Sequence, residues 1–286
     1  MASDNLRGSL WMMASMAGFA AEDGFLKRAA SEMPLGQVLL FEGLLGILWF
    51  SATALRAGSP PLPRAALSRT MAVRSAFEVA GRLFYALAVA LTPISTASAI
   101  LQATPLVVVP VAAFMFGEKV GLLRGALILT GFLAVLLILR PGLSGFSALS
   151  FLALAGMLGF AGRDLATRAA PPALSNAQLG VAGFAVLALC GLGMLLVTGR
   201  VTLPSPQGLA LMAGASLFGI AGYGALTQAM RTGQVSAVTP FRYTRIVFAL
   251  AVGVLVFGER PDALTLAGSA LIVACGLTLL LHRSPR

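Results

Sequence analysis

Residues 16–29 read MAGFAAEDGFLKRA, from Met16 to Ala29, and place two adjacent carboxylates, Glu22 and Asp23, inside an otherwise apolar stretch. Residues 157–170 read MLGFAGRDLATRAA. At a shift of 141 positions 6 of the 14 residues are identical; Asp23 falls on Asp164, and Glu22 falls on Arg163. Phe116-Gly117-Glu118-Lys119 returns at the same shift as Phe257-Gly258-Glu259-Arg260, and Thr104 in LQATP falls on Thr244 in FRYTR at a shift of 140. Three matches at nearly one offset read as a duplicated unit.

The composition says where such a unit lives. Of 286 residues 58% are hydrophobic and only 10% charged, against about 25% charged in a soluble domain. Ten apolar stretches are long enough, at roughly 20 residues each, to cross a bilayer: 9–29, 35–56, 69–91, 94–116, 120–139, 148–169, 175–198, 207–230, 235–257 and 263–282. Halving the chain gives five spans per copy, 1–142 and 143–286. Five is odd, so the second copy enters the membrane upside down, the inverted-repeat plan of many secondary transporters. The expected fold is therefore an all-α integral membrane protein of ten transmembrane helices in two inverted five-helix repeats.

Basic residues set the orientation. Arg7, Arg56, Arg64, Arg69, Arg74, Lys119, Arg124, Arg168, Arg231, Arg283 and Arg286 flank one side, and Lys27, Arg28, Arg140, Arg200 and Arg260 the other. Eleven against five predicts both termini in the cytoplasm. The net charge of +10 arises from these span ends. No basic run or aromatic-basic patch occurs, so a nucleic-acid partner is not expected. Cys190 and Cys275 each sit in an apolar segment and read as packing residues. The start, MASDNLRGSL, lacks a cleavable signal pattern, so the first helix is expected to stay.

Charges inside spans carry the function, because each costs roughly 2.5–3.5 kcal/mol on insertion scales and must face the bundle interior or a water-filled cavity. The chain places Glu22, Asp23, Glu42, Glu78, Arg82, Arg163, Asp164, Arg242 and Arg245 there. Arg74, Glu78 and Arg82 are spaced by four and share one helix face. Their counterparts in the second copy are Gly214, Phe218 and Gly222, so the stripe is asymmetric, which favours a substrate or gating role. Phe241-Arg242-Tyr243-Thr244-Arg245 interleaves cationic forks with aromatics, a set suited to a planar, carbonyl-rich or anionic ligand. Arg82, Tyr85, Arg242, Tyr243 and Arg245 are the expected substrate-binding residues. Glu22, Asp23, Glu78, Arg163 and Asp164 are the expected gating or coupling residues, with Glu42 a further proton-carrying candidate. Mutual ion pairing accounts for the same residues equally well, and both readings hold if the pairs exchange partners. Pro93, Pro105, Pro110 and Pro240 lie in or beside spans 4 and 9, where they free carbonyls or bend helices.

Catalysis finds no foothold. The one histidine, His282, ends the last span, and neither HExxH nor GxxxxGK[ST] occurs. No enzyme, cofactor or metal is expected. Spans 5 and 10 carry small residues and almost no charge, and read as scaffold or homodimer helices.

With both fourth spans closing on FGEK or FGER, the chain resembles the drug/metabolite transporter superfamily and its EamA-type repeats over essentially its whole length. Within it, NLRGSL, EVAGRLFYALAVALTP, ASAILQATPLVVV and GMLGFAGRDLATRAAPPALSNAQLG resemble the bacterial riboflavin importers, and less closely the S-adenosylmethionine carriers. The resemblance implies a multi-pass carrier in the bacterial cytoplasmic (inner) membrane, with riboflavin as its substrate and the lipid bilayer as its surround. Export of amino acids or related metabolites, found elsewhere in the superfamily, is the alternative. The expected mechanism is alternating access about a midplane cavity lined by spans 1, 3, 4, 6, 8 and 9, with Glu22 and Asp23 on the outer passage and Arg163 and Asp164 on the inner.

Overall fold

The computed structural model describes residues 2–91, 100–139, 149–257 and 260–281. Pro93, Arg140, Gly258, Glu259, His282, Arg283 and Arg286 lie outside them. The described residues are all-helical. They form α1 (Ala2–Ala29), α2 (Leu35–Arg56), α3 (Arg69–Leu91), α4 (Thr104–Phe116), α5 (Leu122–Leu139), α6 (Ser150–Arg168), α7 (Asn176–Thr198), α8 (Pro206–Arg231), α9 (Thr244–Phe257) and α10 (Ala263–Leu281). A short helix, Val235–Val238, and a 3-10 turn, Thr239–Tyr243, lead into α9.

Local chemistry sets the ends. Ser175 caps α7 by accepting from Gln178 N, and Gln178 Oε1 accepts in return from Ser175 N at 2.9 Å, so two otherwise orphaned donors are satisfied together. Ser205 caps α8 by accepting from Gly208 N at 3.0 Å, with Pro206 at the position where a missing N–H costs nothing. Gly117 ends α4 in the left-handed region, φ 65°, which glycine enters freely. The repeated FGEK tetrapeptide gains a structural role from the residue that follows: the Glu118 carboxylate accepts from Val235 N at 2.8 Å and Ser236 N at 2.7 Å. It thereby caps the entry to α9 in the other half of the chain.

Among the described residues four segments are long and apolar enough to cross a membrane: Leu35–Arg56, Asn176–Thr198, Pro206–Arg231 and Val235–Val256. Three shorter helices, Thr104–Phe116, Leu122–Ile138 and Ala263–Leu279, are also apolar. Leu122, Leu133, Leu196 and Leu255 turn outward on these helices, an apolar girdle fitted to lipid. α1 begins well before residue 9. Asn5 lies in its first turns, where its Oδ1 accepts from Gln234 N at 2.8 Å and ties the amino-terminal end of the bundle to the turn before α9.

Helix pairing carries the duplication. The most extensive contacts join α2 to α7, α1 to α8, α3 to α6 and α5 to α10. Exchanging each helix for the one five places away maps α1–α8 onto α6–α3 and leaves α2–α7 and α5–α10 unchanged. The close approaches obey the same rule. A Cβ on Gly18 would lie 2.9 Å from Gly222 Cα, and one on Gly159 would lie 2.6 Å from Gly81 Cα. Gly18 and Gly159 are 141 positions apart, as are Gly81 and Gly222. Backbones touch there because no side chain intervenes, the packing mode that works where lipid supplies no hydrophobic drive. Helices α5 and α10 pack on each other within the chain, Gly268 against Ile138 and Ala134.

This crossing makes a stability prediction. Gly159→Ala sets a methyl against backbone that cannot yield, and an overpacked contact costs about 1–3 kcal/mol. The detergent-solubilised variant is expected to unfold at lower temperature than the parent. Gly125→Ala, where nothing lies within 4 Å of the added carbon, is expected to leave the transition unmoved.

Candidate functional site

A cavity of about 280 Å³ lies among α1, α2, α3, α6, α7, α8 and the start of α9. That is near the low end for small-molecule sites, roughly 300–1,000 Å³, and suits one compact metabolite. Toward the α1–α2 and α7–α8 turns its wall reaches Leu26, Leu35 and Met194. Toward the amino-terminal end it stops at Arg163, Tyr223 and Arg242.

The floor is an ion cluster. Glu78 of α3, with no exposed surface, is 3.4 Å from Arg74, 3.6 Å from Arg82 and 3.6 Å from Arg163. Tyr223 of α8 donates to Glu78 Oε2 at 2.9 Å and accepts from Arg74 Nη2 at 2.5 Å. Arg74 Nε donates to Thr167 Oγ1 at 2.9 Å. Asp164 extends the cluster to the turn before α9: Arg163 Nη2 lies 2.8 Å from Oδ1, and Arg242 pairs with Oδ2. Three helices and that turn are thus joined through two buried carboxylates. Above the floor, Arg245 holds Asp23 bidentately, Nη2 to Oδ1 at 2.9 Å and Nε to Oδ2 at 3.2 Å.

The tight turn before α9 produces this last arrangement. Pro240 lies near the start of the Thr239–Tyr243 3-10 turn, and the switch from 3-10 to α winding falls between Arg242 and Arg245. One arginine reaches Asp164 on α6 and the other Asp23 on α1. The aspartates that match across the repeat are therefore clamped by two arginines three positions apart.

Polar capacity is left in the residues that line the cavity. Arg82 Nε, Glu22 Oε2 and Glu42 Oε2 are buried without a hydrogen-bond partner. Phe19, Tyr85, Phe160 and Phe184 supply aromatic surface. Tyr85 meets Phe160 edge-on at 6.0 Å, and the guanidiniums of Arg163 and Arg245 stand 5.0 Å over Phe160 and 5.4 Å over Phe19.

Of the residues singled out in the sequence, Glu22, Asp23, Arg82, Tyr85, Arg163, Arg242 and Arg245 line the cavity, and Glu78 and Asp164 sit in the ion cluster beneath it. Tyr243 does not belong with them. It is 3% exposed, packs among Ala134, Val135 and Ile272, and donates to Ile128 O at 3.2 Å. It points away from the cavity because it follows Arg242 directly on a tight turn. The expected lining also omitted α2 and α7. They contribute Leu35, Leu39 and Glu42, and Phe184, Leu187, Cys190 and Met194. Helix α7 has no charge to mark it and α2 only Glu42 before its terminal Arg56. Thr167 was missed because a single hydroxyl in an apolar helix gives no pattern.

Removing one partner from a buried ion cluster costs about 3–5 kcal/mol, because it leaves the others uncompensated. Glu78→Ala, which strands three arginines, is expected to give little folded protein on size-exclusion chromatography in detergent. Arg82→Lys, at the half-buried rim of the cluster, is expected to elute as the parent does.

Family models match both halves: the model described as the EamA-like transporter family fits residues 6–140 and again 144–281. Over 268 residues the chain is 26% identical to the Pseudopaline exporter CntI of Pseudomonas aeruginosa, covering 91% of each chain. It is 25% identical to a riboflavin transporter of Vibrio cholerae, covering 94% of this chain and 91% of that one. A crystal structure with 19% sequence identity superposes with a TM-score of 0.74, covering 94% of this chain and 97% of that chain, and so shares the fold. With a multi-pass helical bundle, a central cavity lined by charged and aromatic side chains, and both halves matched, the chain belongs to the EamA-like transporter family.

Proposed function

We propose that the protein is an alternating-access carrier in the bacterial inner membrane that takes up riboflavin, or a flavin-like planar metabolite, through this cavity. The observation that carries the reading is the pairing of aromatic faces with unspent polar atoms. Tyr85, Phe160, Phe19 and Phe184 offer surfaces on which a fused ring system stacks. Arg82 Nε is a donor without an acceptor, and Glu22 Oε2 and Glu42 Oε2 are oxygens without a partner. Riboflavin has ring carbonyls for the first and ring N–H and ribityl hydroxyls for the second. The similarity to a riboflavin transporter along most of both chains supports the same substrate.

The transport cycle is read from the same frame. Ten spans, both termini cytoplasmic, and repeats 1–142 and 143–286 of opposite orientation fit the exchange of helix pairs described above. In this state the cavity opens toward the α1–α2 turn, and the Glu78–Asp164 ion cluster closes the amino-terminal end. Rocking of the repeats opens the cluster and closes the Asp23–Arg245 layer.

A second reading has its own observation. Carboxylates and guanidiniums face one another across the cavity, which suits a zwitterionic, amino-acid-derived metabolite, and a relative named as a pseudopaline exporter is similar over most of both chains. Export is then the direction.

The test is uptake of labelled riboflavin by a riboflavin-auxotrophic bacterium with no importer of its own. Saturable uptake, competed by unlabelled flavins, is expected. Arg82→Lys keeps the charge but loses the Nε donor; a hydrogen bond to a charged group contributes about 1.5–3 kcal/mol. Half-saturation is then expected to rise roughly ten- to hundredfold, with membrane levels unchanged. Membrane-inserted protein without uptake excludes the flavin reading and moves the search to amino-acid efflux.

A further inference from the structure

Two carboxyl groups in the cavity are left out of every ion pair described above. Glu22 comes from α1 and Glu42 from α2, and both press against Gly219 of α8. A Cβ at that glycine would collide with Glu42 Oε1 and lie 3.2 Å from the Glu22 carboxyl carbon. The missing side chain makes the room in which the two carboxyls meet, and they are within hydrogen-bonding contact of each other. Glu42 is 2% exposed, and its Oε2, like Glu22 Oε2, is buried with no partner, in residues that line the cavity.

The surrounding charges are spoken for. Asp23, next to Glu22 on α1, is held by Arg245 of α9. From α3, Arg82 turns to Glu78. Arg163 of α6 and Arg242 of the turn before α9 converge on Asp164. Tyr223 of α8 donates to Glu78. Tyr85 of α3 and Cys190 of α7 face the same space. Five arginines, Arg74, Arg82, Arg163, Arg242 and Arg245, thus stand with three engaged carboxylates, Glu78, Asp164 and Asp23. The surplus is two positive charges, within reach of a pair that touches no counter-ion directly. Two carboxylates in contact do not both ionise, and a hydrogen bond between two carboxyls needs one proton.

We propose that Glu22 and Glu42 share one proton and are the site at which this carrier couples its cycle to protons. The proton enters from water through the end of the cavity at Leu26, Leu35 and Met194 and bonds to a carboxylate oxygen of the pair. It leaves to water on the other side when the cavity opens there. The pair acts as one unit with two titration steps. Glu78 takes no part, because its carboxyl oxygens are already engaged by three arginines and a tyrosine hydroxyl. The coupling rests on the carrier reading and not on which metabolite is carried.

The experiment has one arm that needs no substrate. Infrared difference spectra of the carboxyl C=O stretch are recorded across pH on the intact protein in lipid, with Glu22→Gln, Glu42→Gln and Asp23→Asn alongside. The parent is expected to show a protonated-carboxyl band that titrates in two steps. Either glutamine variant is expected to collapse it to one step, and Asp23→Asn to leave it in place. A parent without such a band, or one that both glutamine variants retain, overturns the proposal. The parent spectrum serves even if a variant fails to fold. In the second arm, proteoliposomes are assayed for riboflavin counterflow and for accumulation driven by an acid-outside gradient. The gradient-driven accumulation of Glu42→Gln, divided by its own counterflow, which moves no net proton, is expected to fall at least tenfold below the same ratio for the parent. Equal gradient responses in parent and variant overturn the coupling. Absence of parental counterflow counts against riboflavin alone, and the infrared arm then decides the proton site.

Discussion

Glu78 has no exposed surface, yet it is a carboxyl inside a largely apolar helical bundle, and the architecture around it follows from that. An unpaired carboxylate there costs several kcal/mol after relaxation, so the bundle surrounds it with Arg74, Arg82, Arg163 and the Tyr223 hydroxyl. Each brought its own burial problem. Arg163 is balanced further by Asp164, Asp164 by Arg242, and Arg74 by Thr167. The result is a plug of charges spanning α3, α6, α8 and the turn before α9. Such a plug is strong when every partner is present and exposed to failure when one is displaced, which suits a seal that must break and reform.

Small residues make the plug geometrically possible. Glycine crossings bring α1 onto α8 and α6 onto α3 at backbone distance, and the two crossings are related by the same 141-residue shift as the aspartates. The repeats are therefore alike where they pack and unlike where they handle charge. The first copy contributes Arg74, Glu78 and Arg82; at the same shift the second has Ala215, Gly219 and Tyr223 in those places. One end of the cavity is consequently closed by a buried network, and the other carries the half-exposed Asp23–Arg245 pair.

Much of this was legible in the sequence because charge in an apolar helix is conspicuous. Glu22, Asp23, Arg82, Arg163, Arg242 and Arg245 could be gathered from the chain alone, since lipid excludes every face but the interior. Which partner each would choose was not legible: Arg82 and Arg163 both serve Glu78, and Arg242 reaches Asp164 instead of joining Arg245 on a common ligand. Aromatic residues gave a weaker signal. Tyr85 faces the cavity, while Tyr243, in a setting that looked more favourable, is turned away by the 3-10 winding that Pro240 imposes. Helix α7 was invisible as a lining element because its cavity-facing residues, Phe184, Leu187, Cys190 and Met194, are as apolar as its outer face. The glycine crossings were hidden for the opposite reason: 32 glycines offer too many candidates for a sequence to pick four.

In the proposed cycle this state has a cavity open at one end and sealed at the other by the Glu78–Asp164 cluster. Cys190 lines it, and Cys275 is the other cysteine of the chain. In a Cys275→Ser background, the direct measurement is the rate at which a membrane-impermeant thiol reagent modifies Cys190 from each face of sealed vesicles. Faster labelling from the face that carries the α1–α2 turn is the predicted result. Equal rates from both faces, or faster labelling from the amino-terminal face, would contradict the account.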